Sequence, residues 1–154
     1  MKKTPTINPG RSDMQIIPID ADQSLIELLN RAGLATSDIN QPGSICFFGC
    51  HQSGKLIGSV GIEIRKKSAM LRSLATHEEV RNTGLGRALV EHAELNASHM
   101  GVSDIYLLTT TAADFFERLG YEQLCREQAP DAIRKTTQFS DLCPTTSNLM
   151  RKVL

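Results

Sequence analysis

A chain of 154 residues, 40% of them hydrophobic, has the size of one ordinary domain with a single core. Seventeen Lys and Arg balance seventeen Asp and Glu, which excludes the positive excess that general nucleic-acid or anionic-membrane binding requires. Aromatic residues make up 5% with no Trp, which argues against a single-strand stacking platform but leaves room for a local basic pocket.

Residues 1–13 carry two lysines with no apolar run behind them, so they read as a loose tail and not as a signal peptide or anchor, and residues 14–154 read as the domain. No apolar run approaches the ~20 residues of a membrane crossing. Met14 to Ile19 predicts a first strand, at a sheet edge because of Pro18. Asp20 or Asp22 can cap a helix with Leu25, Ile26, Leu28 and Leu29 on one face and Gly33 at its end. A helical turn is expected around Ser37-Asp38. Ser44 to Cys50 and Lys55 to Arg65 form a hairpin across the turn His51 to Gly54, and Ala69 to Thr76 is the next strand. Gly86 to His99 has helical period and Gly101 stops it. Asp104 to Thr109 is a strand, Ala112 to Leu119 a short helix, and Tyr121 to Arg126 a return to strand. Pro130 opens a helical turn reaching Lys135, and Ser147 to Val153 is the last strand. This order predicts an α/β fold, with one mixed, mostly antiparallel sheet of six to seven strands flanked by helices.

The cysteines Cys46, Cys50, Cys125 and Cys143 form neither a CxxC pair nor a small disulfide framework. Cys46, Cys50 and His51 could be weighed as metal ligands, but they sit in an apolar run ending at a turn, where buried thiols are common. The expectation is a cytoplasmic protein with reduced, mostly structural thiols and no metal.

The most informative stretch runs from Leu71 to Val90 and contains Arg81-Asn-Thr-Gly84-Leu-Gly86-Arg87. A strand enters a glycine-containing loop that opens a helix. Successive N–H groups and the helix dipole favour an anion there, and glycines let a phosphate approach the main chain. A dinucleotide fingerprint would need glycine or alanine at Leu89, and a Walker A loop would need Gly-Lys-Ser/Thr, which the chain lacks. A pyrophosphate such as that of coenzyme A fits the remaining shape.

The block from Leu74 to Leu89 resembles the acetyl-CoA motif of the GCN5-related N-acetyltransferases (GNAT). A second motif of that family follows in order, Ile105 to Thr111 and then Phe115-Phe-Glu-Arg-Leu-Gly-Tyr121. The resemblance covers roughly Met14 to Arg126. A narrower one, from Leu107 to Pro144, is to the arsenic-resistance-associated N-acetyltransferases and, more loosely, to the domain that makes N-acetylglutamate. It implies an amino-acid-like or anionic acceptor.

The family resemblance implies that the strand before the loop splays from the next one, leaving main-chain groups free to pair with pantetheine. Leu74, Ala75 and Thr76 would make those bonds. Val80, Arg81, Asn82, Thr83, Gly84, Leu85, Gly86, Arg87 and Ala88 would hold the pyrophosphate. Thr111 and Phe116 are assigned to the acetyl-CoA side. Phe116 stands where the family usually has a tyrosine acting as general acid, so it reads as a core aromatic. Glu63, between Ile62 and Ile64, is the candidate base, and reads equally as a solvent-facing carboxylate. Arg72, a charge in an apolar strand, is the candidate grip for an acceptor carboxylate, with an outward-facing Arg as the alternative. Thr110 is assigned to the acceptor, and Arg134 and Lys135 either close the same pocket from the C-terminal segment or belong to a solvated face. Acetyl-CoA is then the co-substrate and a small-molecule amine the partner, with a homodimer left open. An acetyl-CoA-binding sensor that has lost catalysis, or an interaction subunit without coenzyme A affinity, are the alternatives.

Overall fold

The computed structural model describes residues 15–40, 45–137, 139–140 and 147–154. Seven strands form one sheet in the order β1-β2-β3-β4-β5-β7-β6. They are β1 (Ile16–Ile19), β2 (Ile45–Gln52), β3 (Lys55–Arg65), β4 (Ser68–Thr76), β5 (Asp104–Thr109), β6 (Glu122–Leu124) and β7 (Asn148–Val153). Every neighbouring pair is antiparallel except β4 with β5. The helices are α1 (Gln23–Arg31), α2 (Leu85–His99), α3 (Ala113–Arg118) and α4 (Asp131–Arg134). This is the α/β architecture expected from the sequence.

Local chemistry accounts for most boundaries. Asp22 caps α1 by accepting the Leu25 N–H at 3.2 Å. Leu25, Leu28 and Leu29 are buried while Ile26 lies at the margin of that face. β2 runs to Gln52, past the expected end, because the hairpin turn needs only Ser53 and Gly54. Both have positive φ, 52° and 78°, the conformation whose twist suits adjoining strands. Three residues suffice for β6, shorter than the predicted Tyr121 to Arg126. Met14 and Ser44, the predicted first residues of two strands, lie outside the described residues, as does Cys143.

The two sheet faces bury different clusters. On one, α2 packs Leu85, Leu89, Val90 and Ala93 against Ile62, Leu71, Ile105 and Leu107. On the other, α1 covers Phe47, Leu56 and Ala75, and α4 places Ile133 with Met70, Tyr106 and Leu149. Arg72 shares the side-chain alternation of Met70 and therefore projects between the α1 and α4 clusters.

Two irregularities in β4 shape the centre of the sheet. Its parallel pairing with β5 covers only Ser68 to Met70 against Asp104 to Tyr106, after which the strands part. Its register with β3 jumps from Gly61↔Arg72 to Ser59↔Ala75, so β4 gains one residue in a bulge. Ser73 takes the strained position there with φ of 56°, and its carbonyl accepts the Ser59 hydroxyl at 2.9 Å.

Close packing of α2 onto β3 depends on Gly58. A Cβ there would lie 2.8 Å from Leu85 Cδ2 and 3.0 Å from Leu89 Cδ1, both on fully buried residues. Gly58→Val should therefore destabilise by about 1–3 kcal/mol through overpacking. Urea unfolding should show a lower midpoint with an unchanged slope.

Candidate active site

The loop between β4 and α2 begins with a single 3-10 turn, Glu78–Val80, anchored by the buried Val80 side chain. The Thr83 hydroxyl donates to the Val80 carbonyl at 2.5 Å and closes the loop on itself. Asn82 and Gly84 have φ of 65° and 90°, and Gly84 is the N-cap of α2. The first intrahelical bond there runs from Ala88 N–H to Gly84 C=O at 3.1 Å. The N–H groups of Leu85, Gly86 and Arg87 consequently have no partner within the helix and point out of its N-terminus.

The loop is uncrowded over its two glycines. A Cβ at Gly84 would meet nothing within 4 Å, and at Gly86 only the Phe115 ring at 3.5 Å, so the space over both glycines is open. Arg81, Asn82, Thr83 and Arg87 are exposed around it. Arg87 turns along α2, its Nε 3.0 Å from Glu91.

Where β4 and β5 part, a cleft of about 380 Å³ opens. Its walls are Ala32 to Ala35 after α1, Leu71 to Leu74 on β4, Leu107 to Ala112 at the end of β5, Phe116 on α3 and Ser147 before β7. α3 links cleft and loop, since Phe116 lines the first and Phe115 adjoins the glycine of the second. Leu74, Thr110, Thr111 and Phe116 thus come together with Arg72. Ala75 instead packs into the α1 cluster, and Thr76 lies on a separate surface depression with His77 and Arg81. Their assignment rests on main-chain groups, which side-chain direction does not affect.

Arg72 differs from both sequence readings. Its side chain is fully buried, and it already holds a carboxylate: Nη1 and Nη2 lie 2.5 and 2.6 Å from the two oxygens of Asp38. Its Nε donates to Ser73 Oγ at 3.2 Å. A guanidinium buried this deeply needs a charge partner, and the turn after α1 supplies it from 34 residues away. Arg72 therefore braces the cleft wall. The outward orientation is excluded, and the open grip for an acceptor carboxylate is replaced by an internal pair.

Glu63 is buried as well, which corrects the solvent-facing alternative. Its Oε2 bonds Arg65, and its Oε1 has no hydrogen-bond partner and lies 3.8 Å from Arg72 Nη1. It does not line the cleft and stands behind Arg72. Arg134 is also turned away, binding the Ala129 carbonyl at 2.9 Å and the Glu127 carbonyl, and both Arg134 and Lys135 are exposed. Tyr121, the phenol nearest in sequence to the missing one, donates to Glu94 at 2.9 Å. Burial first, and the Glu94 charge second, push its phenol well above the ordinary range, so it holds its proton against α2.

The sequence reading missed Asp38, Ser73 and Ser147. An Arg within an apolar strand does demand a carboxylate, but nothing local points to Asp38. Among the described cysteines, Cys46 and Cys125 are exposed and only Cys50 is in the core, so burial does not extend to all of the thiols. Among the described residues, no three His, Cys, Asp or Glu side chains converge on an ion site, and no helix is long and apolar enough to cross a membrane.

The fold thus sets a parallel strand pair that opens into a cleft beside a glycine-containing loop at a helix start. Residues 43–123, more than half of the chain, match the acetyltransferase (GNAT) domain, and the chain belongs to that family. An uncharacterized N-acetyltransferase of Chlorobaculum tepidum is 42% identical over 88 residues, 56% of each chain. An amino-acid acetyltransferase of Buchnera aphidicola is 30% identical over 75 residues, 49% of this chain and 17% of its own length. The match thus spans about half the length of the first relative and under a fifth of the second. The N-acetylglutamate synthase of Neisseria gonorrhoeae, solved with coenzyme A and N-acetyl-glutamate, shares the fold. Its TM-score is 0.73 at 17% identity, over 90% of this chain and 35% of that one.

The Asp38–Arg72 pair yields a stability test. Asp38→Ala should cost about 3–5 kcal/mol because it leaves a buried guanidinium without its partner. The double variant Asp38→Leu with Arg72→Met should recover most of that loss. Urea unfolding of the three proteins measures both.

Proposed function

We propose that the chain transfers the acetyl group of acetyl-CoA to the amine of a small, amino-acid-like acceptor. The observation that carries this reading is the cleft left where β4 and β5 cease to pair, joined through α3 to an open anion cradle. Main-chain groups of Leu74, Ala75 and Thr76 face the ligand as a strand edge would and pair with the pantetheine arm. One of their N–H groups sits near the thioester oxygen and stabilises it as negative charge develops. The N–H groups from Val80 to Ala88 hold the pyrophosphate, with Arg81 and Arg87 adding positive charge.

Among the described cleft-lining residues, Arg72 is the one ionisable side chain, and Asp38 neutralises it. The acceptor amine therefore enters neutral, and its proton leaves to water. With Phe116 in the cleft the thiolate departs without a phenol, which a thiol of ordinary pKa near ~8.5 permits. Glu63 influences this only through Arg72. The amino-acid-like acceptor is supported by the resemblance at the C-terminal side and by the names of the amino-acid acetyltransferase relatives. The same resemblance is the ground for including arsenic- and phosphorus-containing amino-acid analogues among the acceptors tested.

The absence of a tyrosine hydroxyl at Phe116 favours a second reading, an acetyl-CoA-binding sensor. Coenzyme A release with a panel of amino acids and those analogues separates the two, for the enzyme releases it and the sensor does not.

Acetyl-CoA at 100 times its Kd should stabilise the native chain by about 2.7 kcal/mol, read as a rise in Tm. Gly86→Asp should abolish that rise while folding normally, because the site has room for a Cβ but not for a negative charge beside a phosphate. In turnover assays, kcat/KM for the acceptor should climb about tenfold per pH unit below the acceptor amine's own pKa. Phe116→Leu should keep this profile and alter only its height. A profile whose shape changes in that variant would contradict the proposal that no protein acid or base takes part in the step.

A further inference from the structure

We propose that the Ser147 hydroxyl is a specificity-determining contact for the acceptor, an inference that rests on the transferase reading above. Ser147 lines the cleft, is 5% exposed, and its Oγ is buried with no hydrogen-bond partner. Native structures seldom leave a buried hydroxyl unpaired, and such a group calls for a ligand or a function.

Its placement names the ligand's side of the cleft. Asn148 pairs with Thr109, so Ser147 stands one residue further out, beside Thr110. It shares the side-chain alternation of Leu149, which packs with Met70, Tyr106 and Ile133 on the face away from α2. Arg72 projects to that same face. The phosphate cradle and Phe116 belong to the opposite one, with α2 and α3. A thioester brought in from the α2 side would present its carbonyl to the gap between β4 and β5. The amine would then approach from the side of Ser147.

The residue is also held in place. Its carbonyl accepts Arg126 Nη1 at 3.3 Å, and the Arg126 guanidinium stacks on the Phe139 ring at 4.5 Å. With the main chain fixed, the hydroxyl has only its χ1 rotation with which to find a partner. A hydroxyl both donates and accepts, so it meets an oxygen or the amine of the acceptor. The adjoining charge is already spent, because Asp38 occupies both terminal nitrogens of Arg72. Acceptor recognition on this face therefore depends on hydroxyl contacts rather than on a free ion, and the acceptors selected are small polar amines able to hydrogen-bond a serine.

The test compares the wild type, Ser147→Ala and Ser147→Thr. The probes are acetyl-CoA and a panel of free amino acids with their α-carboxamides, followed by coenzyme A release and by thermal shift with acetyl-CoA. Ser147→Ala should raise the acceptor KM at least tenfold, about 1.4 kcal/mol, with the acetyl-CoA KM unchanged. Its Tm should be unchanged or higher, since the hydroxyl removed has no protein partner. Ser147→Thr, which keeps the hydroxyl, should restore much of the acceptor affinity. An unchanged acceptor KM in Ser147→Ala overturns this inference and leaves the transferase reading standing. A lower Tm with both KM values raised shows a structural role and overturns it too. A wild type that binds no acetyl-CoA, or binds it and releases no coenzyme A with any panel member, overturns the transferase reading or its amino-acid-like acceptor, and this inference with it.

Discussion

The organisation of this molecule depends on β4 being a strand on one side and an open edge on the other. From Ser68 to Met70 it is hydrogen-bonded to both β3 and β5, and beyond that to β3 alone. Unpaired main-chain groups in a sheet interior are unfavourable unless something replaces the lost partner, so an open edge at the centre of a sheet is a place for a ligand. The bulge at Ser73 bends β4 just where the opening begins, and the Ser59 hydroxyl holds the bulge carbonyl. The strain and the opening therefore meet at one position. A non-glycine residue with φ of 56° is maintained there by hydrogen bonds from two sides, to Ser59 and to Arg72.

The same strand carries the ion pair that braces the opening. Arg72 fills the space between the α1 cluster and the α4 cluster, and Asp38 reaches it from the turn that follows α1. A buried pair of this kind adds little net stability compared with apolar packing, but it ties the turn to the strand with directional bonds. The result is a cleft wall built from α1's C-terminal turn and β4 together, with its charge internally balanced. This balance shapes the proposed chemistry: no strong field within the cleft would pull in an ionised acceptor, and selection falls to shape and hydroxyl contacts.

Most of the fold was legible in the sequence because it is written locally. Apolar runs and turn chemistry marked β3 and β4, the glycines at 54, 101 and 120 marked reversals, and the aspartates at 20 and 22 before an apolar face marked the start of α1. The glycine loop was legible for the same reason, since strand, glycines and helix start are contiguous. The acceptor side was not. Asp38 and Arg72 are far apart in the chain, and only the three-dimensional packing shows that the guanidinium is already paired. Glu63 illustrates the limit of alternation: it correctly places the side chain opposite Ile62 and Ile64, but cannot tell a solvated face from one covered by helices. Ser147 carried no signal at all, because a serine before a strand is ordinary until its neighbours are known.

The central claim is that acetyl-CoA lies along the open edge of β4 with its phosphates on the start of α2. Hydrogen–deuterium exchange of the backbone amides, with and without acetyl-CoA, tests it at residue level. The account predicts slowed exchange at Leu74, Ala75 and Thr76 and at Leu85, Gly86 and Arg87, with little change at β1 or β6. Protection confined to other segments, or none at either of these two, would contradict it.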